Sequence, residues 1–230
     1  MSINNESLGI TAEKVICDIY GIDSSILIGR SIPALEIQIK PYLIEALSKL
    51  PPIESYVGQD RENGGGQAKS PIDFIFKNKK TLSVKTNKTN TKVCPSNCGQ
   101  PGNQTFDRYF CHLYDNPNET ITYERFKKLC LEKSHLMMPI YVVNTFECDY
   151  LLWLYFEDRK KEYKIINKED VSHFEWKKEE FSFTKTLASW NESCTVKYQR
   201  MTLGEYQVHN HRNNYKFRFN FDNLCLLLGL

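Results

Sequence analysis

Two apolar runs constrain this chain more than anything else in it. Residues 139–146 contain Ile140-Tyr141-Val142-Val143, and residues 150–156 contain Leu151-Leu152-Trp153-Leu154. Neither run alternates polar with apolar residues, so a strand made from either must be covered on both faces. The spacing predicts a strand pair joined across Glu147-Cys148-Asp149, with Lys164-Ile165-Ile166 continuing the same sheet. Helices before and after the central sheet are expected. Residues 11–20 carry Val15, Ile16 and Ile19 as an apolar stripe, with Thr11 as N-cap and Gly21 as stop. Residues 41–50 present Tyr42, Leu43, Leu47 and Leu50 before Pro51-Pro52 ends the helix. Further helices are expected near 104–113 and over 122–132, the latter turning Phe126, Leu129 and Cys130 inward. The sum is an α/β fold, a central mixed β-sheet flanked by helices.

A chain of 230 residues can bury one good core, so a single domain over 1–230 is expected. The net charge of +2 rules out a uniformly basic protein, and any polyanion must meet a local patch. No apolar run is long enough to cross a bilayer, and residues 1–8 are polar with no signal-peptide core, which points to the cytoplasm. Eight cysteines are scattered singly except for Cys94 and Cys98, which suits reduced thiols rather than a disulfide framework. Zinc on Cys94, Cys98, Cys111 and His112 stays open. Against it, adjacent Cys and His point in different directions, and no second short-spaced pair closes a tetrahedron.

The chemistry-bearing segment is an expected β-hairpin with Pro71-Ile72-Asp73 at one end and Ser83-Val84-Lys85 at the other. Its strands would be 72–77 and 81–85, its turn Asn78-Lys79-Lys80. A three-residue turn places Asp73 opposite Lys85 and Ile75 opposite Ser83, so that Asp73, Ser83 and Lys85 share one face. A carboxylate beside an ammonium suits phosphodiester cleavage. The acid can hold Mg²⁺ while the amine orients the attacking water or offsets charge on the phosphate. The same two residues are equally ordinary solvent-facing edge residues. Context favours the catalytic reading. Gly64-Gly65-Gly66-Gln67-Ala68-Lys69-Ser70 precedes the hairpin and would let a bulky polymer approach. From Phe74 to Phe106 there is no acidic residue, while Lys77, Lys79, Lys80, Lys85, Lys88 and Lys92 form a block of one sign.

Two further segments suit nucleic acid. Residues 87–108 hold Asn87, Asn90, Asn97, Gln100 and Asn103 beside Lys88; such a stretch either reads base edges and phosphates or is a solvated loop. Over 207–221, Tyr215, Phe217, Phe219 and Phe221 alternate with Lys216, Arg218 and Asn220, giving a strand with one apolar and one basic face. His209, His211, Arg212 and Asn213 come just before it. That segment is either a recognition element or a polar turn feeding a charged edge strand.

These residues resemble type II restriction endonucleases of the PD-(D/E)XK nuclease superfamily. Pro71-Ile72-Asp73 followed by Leu82-Ser83-Val84-Lys85-Thr86 is similar to the acid-then-acid-x-lysine hairpin, with Asp73 matching the metal-binding Asp and Lys85 the catalytic Lys. His209-Asn210-His211-Arg212 with Phe217-Arg218-Phe219 is similar to the histidine-rich loop and strand of some monomeric members. The resemblance implies a restriction-endonuclease-like fold, a catalytic hairpin at 71–86, Mg²⁺ as cofactor and double-stranded DNA as substrate. It further implies no membrane association, a bacterial or archaeal cytoplasm, and a homodimer or monomer, the homodimer preferred. Lys69, Asn87, Lys88, Gln100, His209, His211, Arg212 and Asn213 would contact DNA. Ser83 departs from the pattern, because the superfamily usually has Glu or Asp there. Some members supply the missing acid from a helix. Glu45 is the first candidate for that catalytic and metal-binding role, Asp107 the second and Glu13 the third. The rival readings are a non-catalytic nucleic-acid-binding protein, which Ser83 favours, and a repair or transposition nuclease of the same fold.

Overall fold

The computed structural model describes residues 5–58, 71–88, 92–116, 118–156, 161–209 and 214–230. In chain order the elements are helices α1 (Asn5–Tyr20) and α2 (Pro33–Leu47), then strands β1 (Ile53–Tyr56), β2 (Phe74–Phe76), β3 (Thr81–Asn87) and β4 (Lys92–Val93). Helices α3 (Asn103–Phe110) and α4 (Tyr123–Thr145) follow, then strands β5 (Tyr150–Phe156), β6 (Lys161–Asn167), β7 (Phe181–Phe183), β8 (Ser193–Tyr198), β9 (Met201–His209) and β10 (Asn214–Asn220). Helix α5 (Phe221–Leu228) closes the chain. The chain divides into two compact units, Met1–Thr91 with Cys148–Val171, and Lys92–Glu147 with Ser172–Leu230. Where the length suggested one core, each unit has a five-stranded sheet of its own.

The first unit is a mixed sheet in the order β1-β2-β3-β5-β6, with β3 and β5 parallel and the other neighbours antiparallel. Parallel neighbours cannot be joined by a tight hairpin, and here residues 92–147 separate them in sequence. Leu8, Ala12, Val15 and Ile16 of α1 recur at helical spacing and pack with Leu35, Ile39 and Leu43 of α2 in one buried cluster. Phe74, Phe76, Leu82, Val84, Leu152, Leu154 and Phe156 complete that cluster from the sheet. Each large side chain buried there stabilises the unit by about 1.5–3 kcal/mol. Leu151, Trp153 and Tyr155, which alternate with the β5 members of the cluster, are buried as well, so β5 is covered on both faces as its apolar run predicted.

Helix boundaries depart from the sequence reading for identifiable reasons. Thr11 is an interior residue of α1; its hydroxyl donates to the Ser7 carbonyl at 2.6 Å and accepts from Ile32 N at 3.1 Å, tying α1 to the start of α2. Gly21 does end α1, at φ +66, a conformation glycine adopts without steric cost. Helix α2 begins at Pro33, a preferred first-turn position, and runs through Pro41.

The largest correction concerns 139–146, which is helix and not strand. Met137, Met138, Tyr141, Val142 and Thr145 are buried while Val143 is 64% exposed, a spacing of 3.6 that the β-branched composition concealed. Thr122 caps this helix, accepting from Arg125 N, and the helical backbone breaks at Lys133 (φ −124, ψ 20).

The second unit is an antiparallel sheet in the order β4-β10-β9-β8-β7. Tyr215, Phe217 and Phe219 are buried, as their alternation predicted, and Phe217 stacks on Tyr141 with centroids 4.4 Å apart. Gly204 lets β9 pass this ring, since a Cβ there would meet the Arg218 carbonyl at 2.4 Å. Strand β10 lies between β4 and β9, so the expected charged edge strand is an interior one. Among the described residues no helix is long and apolar enough to cross a membrane.

Candidate active site

The hairpin forms, with a register two residues from the expected one. Phe74 pairs with Leu82 and Ile75 with Thr81. The turn carries Lys79 at φ +67, with Asn78 Oδ1 accepting from Lys80 N at 3.1 Å. Because a two-residue shift preserves side-chain direction, Asp73, Ser83 and Lys85 still share a face, the one opposite Leu82 and Val84. The consequence is metric. The Asp73 carboxylate lies 3.3 Å from the Ser83 hydroxyl, so it meets Ser83, where the expected register put Lys85 opposite it.

Asp73 is fixed from several sides. Its N–H donates to the Leu82 carbonyl at 2.9 Å and its carbonyl accepts from Val57 N at 2.9 Å. Its Oδ2 accepts from Val84 N at 2.6 Å and from Ser83 Oγ at 3.3 Å. Ser83 is 2% exposed, and its hydroxyl orients the Asp73 carboxylate directly. Lys85 is half-buried beside Trp153 of β5 and makes no ion pair among the described residues.

The other oxygen of Asp73 comes close to Gly58, at a point with no room for a side chain. A Cβ at Gly58 would lie 3.2 Å from Asp73 Oδ1, 3.1 Å from the Tyr56 hydroxyl and 2.9 Å from the Tyr56 ring. Tyr56, at the end of β1, donates to Glu13 Oε2 of α1 at 2.6 Å. Burial first, then the Glu13 carboxylate and then Asp73 push the Tyr56 phenol well above its ordinary range, so it stays protonated and donates. Two carboxylates from distant parts of the sequence thus act on one hydroxyl. Glu13 also helps burial push the Cys17 thiol up to about 12.

Of the three helical acids considered for the missing ligand, the structure brings the third, Glu13, to the Tyr56 hydroxyl, which itself borders that point. Glu45, the first, is exposed; it accepts from Tyr163 Oη of β6 at 2.7 Å and lies 3.7 Å from Lys49. Strand β6 is at the sheet edge remote from β2, so Glu45 and Asp73 are not brought together. Asp107 belongs to the second unit and accepts from Tyr114 Oη at 2.6 Å and Ile121 N at 3.1 Å.

The expected DNA contacts fare unevenly. Asn87 is 1% exposed and accepts from Trp153 Nε1 at 2.7 Å, so it is an interior amide and not a surface reader. Lys88 is half-buried with its N–H on Asn5 Oδ1, and Gln100 is exposed with its carbonyl accepting from Asn214. Lys69, His211, Arg212, Asn213 and the side chain of His209 lie outside the described residues.

Half of the lysine block is paired with acids in the fold. Lys79 pairs with Glu54 at 2.6 Å, Lys80 with Glu169 at 3.5 Å and Lys92 with Glu205 at 2.8 Å. Glu205 also binds Arg218 at 3.0 Å, which takes one member of the basic β10 face out of play.

Magnesium takes oxygen ligands, commonly one or two carboxylates with water and substrate phosphate. Glu13 and Asp73 fit that donor set. Among the described residues no group of three or more His, Cys, Asp or Glu side chains could hold a metal, and Cys94 turns its thiol to the Phe217 carbonyl at 3.3 Å. Sequence reasoning missed Tyr56 and Gly58, because β1 is a four-residue strand without a motif. The signal for Glu13 was an acid set between Ala12 and Val15 on the buried stripe of α1.

Over 225 residues the chain is 31% identical to the type II restriction enzyme CviAII of Paramecium bursaria Chlorella virus 1, an alignment covering 96% of this chain. The chain spans about 60% of the length of that relative. No family model and no solved structure matches the chain.

Proposed function

We propose that the chain is a Mg²⁺-dependent phosphodiesterase acting on double-stranded DNA. More specifically, it would be a type II restriction endonuclease with a restriction-endonuclease-like fold in its first unit. One observation carries this reading: Asp73, Ser83 and Lys85 share a sheet face, and Asp73 and the Tyr56 hydroxyl that holds Glu13 come to one point beside Gly58. The likeness to a type II restriction enzyme over nearly the whole chain supports it.

Asp73 and Glu13 would hold the cation, Asp73 kept in place by the Val84 amide and the Ser83 hydroxyl. Bound Mg²⁺ would supply Lewis-acid stabilisation of the scissile phosphate. Lys85, on the same face as Ser83, would orient water with its ammonium and offset charge growing on the phosphate oxygens. Gln100, Lys69, Lys88, His209, His211, Arg212 and Asn213 remain the proposed DNA contacts. A two-fold dimer suits a palindromic target.

Asp73→Ala is the test. Incubation with a DNA of known sequence and Mg²⁺ should give discrete fragments with the wild-type chain. With the variant, cleavage should fall by roughly a thousandfold or more while a salt-sensitive mobility shift persists. Normal cutting by Asp73→Ala would remove the assignment.

A further inference from the structure

We propose that Tyr56 is a positioning residue that sets the Glu13 carboxylate for divalent-cation binding beside Asp73, an inference that rests on the endonuclease reading above. The hydroxyl donates to Glu13 Oε2 at 2.6 Å, and the point above Gly58 that meets this hydroxyl at 3.1 Å meets Asp73 Oδ1 at 3.2 Å. A glutamate on a helix has several rotamers to lose before it can ligate, and each carries an entropic cost. The Tyr56 hydroxyl selects one of them in advance. Because the donor is neutral, it directs the carboxylate without cancelling its charge, whereas a lysine in its place would compete with the cation. Hydrogen-bond partners of metal ligands act in this way, and losing one typically weakens metal binding ten- to a hundredfold, as an order of magnitude.

Tyr56 is itself held. Its ring packs on Phe74 with centroids 5.1 Å apart, and the bare Cα of Gly58 leaves room for the ring edge. Tyr56→Phe therefore keeps the packing and removes the hydroxyl alone.

The experiment is a titration of the full chain with Mn²⁺, followed by electron paramagnetic resonance, on wild type, Tyr56→Phe, Glu13→Gln, the double variant and Asp73→Ala. Tyr56→Phe should raise the Mn²⁺ dissociation constant about tenfold or more with a near wild-type melting temperature. The Mg²⁺ concentration for half-maximal cleavage should rise with it, and the maximal rate should return at saturating Mg²⁺. In the Glu13→Gln background Tyr56→Phe should add nothing, because the hydroxyl acts through that carboxylate. If Tyr56→Phe binds Mn²⁺ as wild type does while Asp73→Ala does not, the role of Tyr56 is overturned and the nuclease site stands. If wild type binds no Mn²⁺, or Asp73→Ala binds it equally well, the metal site falls and this role with it. Should Tyr56→Phe fail to fold, fluorotyrosine resonance in the wild-type chain replaces it. A Tyr56 signal that moves with added Mg²⁺ supports the role, and one that stays still overturns it.

Discussion

The two units each place an acid on the polar face of a strand whose other face is aromatic, and they treat it in opposite ways. In the second unit Glu205 of β9 is clamped by Lys92 and Arg218, and its charge is spent on holding β4, β9 and β10 together. In the first unit Asp73 receives hydrogen bonds from a backbone amide and a serine hydroxyl, and Glu13 from a tyrosine hydroxyl. Neutral donors orient a carboxylate and leave its formal charge intact. An acid clamped by two cations is a structural device, whereas an acid held by neutral donors keeps its charge available, and the proposed cation site would use it. Both are half-buried polar clusters on sheets, and only the identity of the donors separates them.

Substitutions can break or sharpen that contrast. After Asp73→Ala, the largest effect is expected for Lys85→Ala, which should slow cleavage by about a hundredfold or more with little change in melting temperature. A rate within a few-fold of wild type would show that the first unit's acids work without this amine. Glu205→Gln should do the reverse, lowering stability by about 1–3 kcal/mol in denaturant unfolding, because two half-buried cations lose their common partner. Its pH behaviour follows from sign. Burial pushes the Glu205 carboxyl up, but hydrogen bonds and charge from Lys92 and Arg218 outweigh it and hold the group below its ordinary value near 4.5. The resulting stability is present above that value and is lost as pH falls through the depressed one. Thermal melts of wild type should show this acid loss, and Glu205→Gln should not. The smallest effect is expected for Gly58→Ala. Its Cβ must displace the Tyr56 ring edge, at about 1 kcal/mol or roughly fivefold in cleavage rate. An unchanged rate would mean that the close approach of Tyr56 and Asp73 at Gly58 is not part of the site.

Much of the first unit was legible from pattern. The apolar run of β5 required cover on both faces, and both faces are covered. The spacing of Asp73, Ser83 and Lys85 fixed their shared face even though the register was misjudged, because a shift of two leaves strand parity unchanged. The second half of α4 was misread, since Ile140-Tyr141-Val142-Val143 favours strand locally and its helical burial appears only against the packed unit. The lysine block misled for a related reason. Counting charges along 74–106 cannot reveal Glu54, Glu169 and Glu205, which come to Lys79, Lys80 and Lys92 from far away in sequence.

By itself the sequence determined that β5 must be buried on both faces and that an acid, a serine and a lysine share a face, because strand alternation is a local property that short-range sterics enforce. It could not determine which helical acid the fold carries toward the Asp73 hairpin. Glu45 and Glu13 both sit on helices upstream of the hairpin, and only the packing of α1 against β1 and β3 brings Glu13 to the Tyr56 hydroxyl while α2 carries Glu45 to β6. That choice belongs to tertiary structure, since it depends on how helices are laid across a sheet, a long-range outcome of core burial that no single segment encodes.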